Sequence, residues 1–152
     1  MTLQYNVEVR VEYECVLQSF NTCYTDTGLW GVYFVADSST VDAAVNAVLA
    51  EWRRLSESAS EHEVNRAKNL LLTNMLLMLD GSTPICEDIG RQMLCYGRRL
   101  PPTELEMRIN AVSADDIRRV ISQYVISRPP AVVGIGPIER LHDYDYIANA
   151  IK

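Results

Sequence analysis

Two histidines, four cysteines and a few acid pairs are the residues of this chain whose types could do chemistry. A hydrolytic zinc site on a helix needs two ligands one turn apart and a general base, as in H-E-x-x-H or its inverse H-x-x-E-H. The histidines are His62 and His142, and neither string occurs. Glu61, His62 and Glu63 are consecutive. Neighbouring helix residues point about 100° apart, so three in a row do not converge on one ion. Acids in a first helical turn are expected from the helix dipole alone. The cysteines are Cys15, Cys23, Cys86 and Cys95, without a C-x-x-C pair. Cys86 and Cys95 fall in one predicted helix, about 13 Å apart at 1.5 Å per residue. A disulfide needs less than about 7 Å. A Cys15–Cys23 bridge is compatible with their spacing, but four reduced, mostly buried thiols is the preferred reading. No G-x-S-x-G elbow and no P-loop is present. Gly134-x-Gly136 follows a strand-like run, but Pro137 and Glu139 stand where a dinucleotide loop would place its glycine and helix start. The acid pairs Glu87-Asp88 and Asp115-Asp116 lie at helix starts, where capping accounts for them. These residues assign no catalytic or metal-binding group and leave substrate-binding residues open.

The chain that must position any such groups has 152 residues, 48% of them apolar and 22% charged. This suits one globular domain with a core. The net charge is -6. The basic clusters are the pairs Arg53-Arg54, Arg98-Arg99 and Arg118-Arg119. No basic stripe arises, so nucleic acid is not an expected partner. The most apolar segment, residues 69–79, is short for a membrane span and is interrupted by Thr73 and Asn74. The first residues alternate in polarity and carry acids, unlike a mitochondrial presequence.

Val7, Val9, Val11 and Tyr13 alternate with Glu8, Arg10 and Glu12, which predicts a half-buried strand. Residues 28–36 predict a second strand. Residues 131–136 (AVVGIG) predict a third, fully buried one. Helices fill the interval. Ser39 with Asp42 resembles a capping box ahead of a stripe through Val41, Ala44, Val45, Val48, Leu49, Trp52 and Leu55. Ser60 with Glu63 opens a second helix to about Leu79, apolar around most of its girth and expected to be central. Thr83 caps a third, with Pro84 in its first turn and Gly97 as its stop. Pro101-Pro102 introduces a short helix to about Ala111. Ser113 with Asp116 caps another, whose buried stripe is Ile117, Val120, Ile121, Tyr124 and Val125. The tail from Ile138 onward predicts a loop and a short helix. The irregular order of strands and helices predicts an α+β domain, an antiparallel sheet packed on a helix cluster. So thin a sheet calls for completion by another chain or by further sequence.

Three segments carry a resemblance: QSFNTCYTDTGLWGVY from Gln18, EVNRAKNLLLTNMLL from Glu63, and LDGSTPICEDIGRQMLCY from Leu79. They resemble the presequence-processing branch of the pitrilysin-like (insulinase-like) metallopeptidase family, and equally its related core subunits of ubiquinol–cytochrome c reductase. The likeness runs from about Gln18 to Ile147. It implies two similar α+β halves, with this chain matching the second, which has no metal site. Zinc would be held by the first half. The implied partners are that N-terminal half of a processing β subunit, a processing α subunit and presequence peptides, or respiratory-complex subunits in the core-subunit alternative. The implied location is mitochondrial, in the matrix or on the matrix face of the inner membrane. Some relatives hold substrate with an Arg and a Tyr seven residues apart, and alignment places Tyr24 and Gly31 there. Residues 1–17 do not match the family and form a divergent or non-native strand segment in this reading. Residues 18–152 form the incomplete C-terminal domain.

Overall fold

The computed structural model describes residues 16–126 and 128–151. The predicted strand over residues 7–13 and the Cys15 thiol lie outside these. Among the described residues, two strands, β1 (Val16–Cys23) and β2 (Gly28–Val35), precede six helices. The helices are α1 (Val41–Ser58), α2 (Glu61–Met78), α3 (Ser82–Tyr96), α4 (Pro102–Asn110), α5 (Ala114–Tyr124) and α6 (Tyr144–Ala150). The expected α+β class, a sheet on a helix cluster, is the observed one.

β1 and β2 pair antiparallel from Val16↔Val35 to Cys23↔Gly28. Leu17, Trp30, Val32 and Phe34 share the inner face by this register. Phe34 packs on the core cluster and Trp30 meets Trp52 of α1 at 5.5 Å between ring centres. The outer face carries Val16, Leu29, Tyr33 and Val35, all more than half exposed. Phe20 lies over Gly31 on that face, where an added Cβ would sit 2.7 Å from Phe20 Cζ. Only glycine leaves room for the ring in that position.

The core is small. Val45 and Leu49 of α1 meet Ile147 and Ile151 at the C-terminal helix, with Phe34, Trp52, Ile126 and Leu141 around them. The α1 stripe was legible, since Ala44, Val45, Val48 and Leu49 are all buried. α1 packs on α5, and α2 on α4.

Caps hold where side chains complete them. Ser60 and Glu63 form a reciprocal capping box on α2, as do Ser113 and Asp116 on α5. Two other expected caps do not form. α1 starts after Thr40, without a side-chain cap bond, and α3 starts after Gly81 at φ 107°, which places Thr83 inside the helix. Asp42 Oδ1 accepts from Ala43 N at 2.8 Å instead, so it serves its own turn rather than Ser39. Gly97 does end α3, in the left-handed region at φ 69°.

Three burial expectations fail together. Residues 131–135 form no strand, and Val133 and Ile135 are 86% and 96% exposed. α2 is not central, because Leu70, Leu76, Leu77 and Met78 are exposed. In α5, Ile121 is buried while Val120 and Tyr124 are exposed. The cause is shared. Among the described residues the sheet has two strands and neither pairs with residues 131–135, and α2 is covered by α4 but left open along Leu76, Leu77 and Met78. The thiols follow the same pattern: Cys23 and Cys86 are exposed, Cys95 is half-buried, and all three are free.

Candidate functional site

A cleft of about 850 Å³ lies between the inner face of the sheet and helices α1 and α2. Leu17, Trp30, Val32, Trp52, Leu55 and Leu70 are among its apolar walls. β1 and β2 place the first three because their side chains alternate faces. α1 places Trp52 one helical turn, and Leu55 two turns, beyond the buried Val48.

Charge is fixed on the rim. Arg54 donates to Glu51 at 2.7 Å and lies 2.8 Å from Glu63. Glu63 also accepts from the Ser60 hydroxyl at 2.7 Å and the Ser60 amide at 3.0 Å. The Arg54 guanidinium, then the Ser60 donors, hold the Glu63 carboxyl down at about 2. The hydrogen bonds that Arg54 donates to Glu51 and then Glu63 raise its own pKa in turn. The neighbouring α1–α2 junction is pinned to α5, as Arg118 donates to the Ala59 carbonyl at 2.7 Å and the Ala114 amide donates to Glu61 at 3.0 Å.

Those contacts decide the metal question for residues 61–63. Glu61 caps α5 and Glu63 serves Arg54 and Ser60, so both acids flanking the exposed His62 are engaged elsewhere. His142 is far along the chain, sharing a 3.1 Å hydrogen bond with Asn46 and stacking on Tyr146. The two histidines are not brought together in any metal-ligand group among the described residues. A catalytic zinc does not fit this donor set. Tyr24 lies in the β1–β2 turn, exposed, and Gly31 sits under Phe20, so the two positions make no Arg–Tyr clamp. Gly134 and Gly136 lie in a stretch without regular structure and open no helix. Asp115 and Asp116 belong to the first turn of α5 as expected, but Glu87 and Asp88 lie in the second turn of α3, which starts at Ser82, and do not cap it. Asp88 accepts from Gln92 at 2.8 Å, and Gln92 accepts from the buried Leu100 amide at 2.6 Å. Sequence reasoning missed this Gln92 bridge, because nothing local marks a glutamine whose partner lies eight residues away.

The carboxylates give a pH prediction. Hydrogen bonds from Arg98 and then Arg108 hold Glu104 at about 2, and the Ser113 hydroxyl and amide, then Arg119, hold Asp116 at about 2. Folding therefore depresses all three acids, Glu63, Glu104 and Asp116. Their contribution is complete above the ordinary carboxylate range and is lost as pH falls from about 4.5 towards 2. Circular dichroism of the chain should show helix loss within that window. Arg54→Ala should move the midpoint upward by removing the chief cause of the Glu63 shift.

A family model described as the Peptidase M16 inactive domain matches residues 14–71. The mitochondrial-processing peptidase subunit beta of Rattus norvegicus is 59% identical over 135 residues, 89% of this chain and 28% of that protein. The chain belongs to the M16 peptidases, the pitrilysin-like family. It corresponds to their C-terminal domain and is similar to that of the processing β subunit. Bos taurus cytochrome b-c1 complex subunit 1, mitochondrial, is 49% identical over 134 residues. It is matched along 88% of this chain and 28% of its own length. A solved chain of complex III2 from Candida albicans, Inz-5 bound, superposes with a TM-score of 0.83 at 34% identity, over 89% of this chain and 33% of that one. The M16 chain thus spans under a third of the relatives it matches. Its missing zinc motif agrees with a domain described as inactive.

Proposed function

We propose that the chain serves as the non-catalytic C-terminal domain of a mitochondrial presequence-processing metalloendopeptidase β subunit. In this reading it packs on the zinc-carrying N-terminal half and on an α subunit, and walls the substrate cavity on the matrix side. Residues 1–17 are a divergent lead-in to the domain at 18–152. The observation that carries the reading is identity: 59% to the rat processing subunit against 49% to the bovine cytochrome b-c1 subunit. The exposed outer face of the sheet and the open side of α2 supply apolar surface for such packing. A second reading, a core subunit of the respiratory complex without peptidase activity, is supported by the likeness to the complex III2 chain.

Co-expression separates the two. The chain is produced with the part of the rat β subunit that precedes the matched stretch, and with an α subunit. Assembly with chelator-sensitive cleavage of a presequence peptide supports the processing role. Assembly without cleavage favours the core-subunit role, and no assembly removes both. The chain by itself should bind less than a tenth of an equivalent of zinc by elemental analysis and leave the peptide intact. Stoichiometric metal with cleavage would overturn the assignment of chemistry to the other half.

A further inference from the structure

The cleft between the sheet and helices α1 and α2 joins an apolar lining to a surplus of positive charge. Leu17, Val32 and Leu70 line it, with Arg66 and Lys68 beside them. Arg54 is already shared by Glu51 and Glu63. Arg66 and Lys68, in contrast, meet no carboxylate at ion-pair distance among the described residues. Lys68 donates instead to the Asn110 carbonyl at 3.2 Å. We infer that residues 7–13 of this chain seat on the cleft, with Val7, Val9, Val11 and Tyr13 on its apolar lining and Glu8 and Glu12 beside Arg66 and Lys68. This seating goes beyond the processing role and does not depend on it.

Three properties of the segment match the cleft. Its period of two gives one apolar face and one charged face, as an occupant that is covered on one side and wet on the other requires. Its charge is complementary, since Glu8, Glu12 and Glu14 stand against the single Arg10. Its position is also right. The segment joins β1 at Val16, and the next residue, Leu17, is itself part of the lining. A tether that short gives the segment an effective concentration on the order of mM at the cleft, ahead of any free competitor. Extended, residues 7–13 span about 20 Å. The α1 wall from Val48 to Leu55 is about 10 Å long, so the run covers it end to end.

Both of the chain's tryptophans, Trp30 and Trp52, line the cleft, and Lys68 is one of its two lysines. These make the seating readable in the full chain. A water-soluble carbodiimide, which condenses a lysine amine with a carboxylate in contact, should join Lys68 to Glu8, Glu12 or Glu14, with the product read by peptide mass spectrometry. Run on an equal mixture of isotope-labelled and unlabelled chains, the reaction should give products of matched label only. In the variant carrying Val9→Lys and Val11→Lys, acrylamide quenching of tryptophan emission should rise about twofold as the indoles lose their cover. Its helix signal by circular dichroism should match the wild type, because the six helices lie outside the altered segment. Products of mixed label would give the cleft to a second copy and overturn the seating. Lys68 left unjoined to residues 8–14 in the wild-type chain would overturn it as well, whether or not the variant folds. So would quenching unchanged in a folded variant.

Discussion

Leu49→Ala should lower the melting midpoint by roughly 10 °C, the largest effect expected of a single core substitution here. Leu49 is 5% exposed and touches the cluster that joins α1 to the C-terminal helix. Truncating a buried leucine costs about 3 kcal/mol, from lost transfer energy plus the cavity left behind. Alanine's better helix propensity offsets only a few tenths of that. Ordinary domains hold about 5–15 kcal/mol in total, and this one has few fully buried side chains. A thermal melt followed by circular dichroism reads the effect. Glu57→Ala, on the exposed end of the same helix, should shift the midpoint by less than about 2 °C. Equal melts for the two variants would mean that the cluster is not what holds the chain together.

The second large effect is association. Leu76, Leu77 and Met78 on α2, Leu94 on α3 and Val133 with Ile135 leave apolar side chains in water, Leu94 at 81% exposure. Exposed apolar area of this extent favours contact with other surfaces, and among the described residues each strand pairs on one side only. Light scattering of the chain alone should give a mass above the monomer's 17.2 kDa that rises with concentration. A constant 17.2 kDa species would show that these faces do not drive assembly. The upstream part of the rat subunit should suppress the growth when mixed in equal amount, because it competes for the same faces.

The parts of the fold that were legible in the sequence are those decided locally. Ser60 with Glu63 and Ser113 with Asp116 announce their helices, because a capping box is closed within four residues. Gly97 announces an end, and the α1 stripe announces a face. β1 was not legible as a strand. Its apolar residues, Val16, Leu17 and Phe20, fall on both faces, so no period of two appears. The AVVGIG run was misjudged for the opposite reason. Its composition suits a buried strand, but burial depends on neighbours that composition does not reveal. α2 repeats the lesson, since its apolar girth describes a helix with cover on more than one side. At residues 61–63 the engagement of Glu61 by the Ala114 amide and of Glu63 by Arg54 comes from other elements and was not legible locally.

The ion-pair rim of the cleft was legible only in part. The sequence places Arg54 near Glu51 at helical spacing, but Glu63 joins them from the next helix. That second contact links α1 to α2 and shapes the mouth of the cleft beside Trp52 and Leu55. Exposed pairs of this kind contribute little to stability by themselves.

The central claim is that this chain supplies a non-catalytic domain to a presequence peptidase. It is tested most directly by a chimera in which residues 18–152 replace the matched 135-residue stretch of the rat β subunit. The chimera, assembled with its α subunit, should bind zinc and cleave a presequence peptide within about threefold of the parent rate. Loss of cleavage in a chimera that assembles and holds its zinc would contradict the claim.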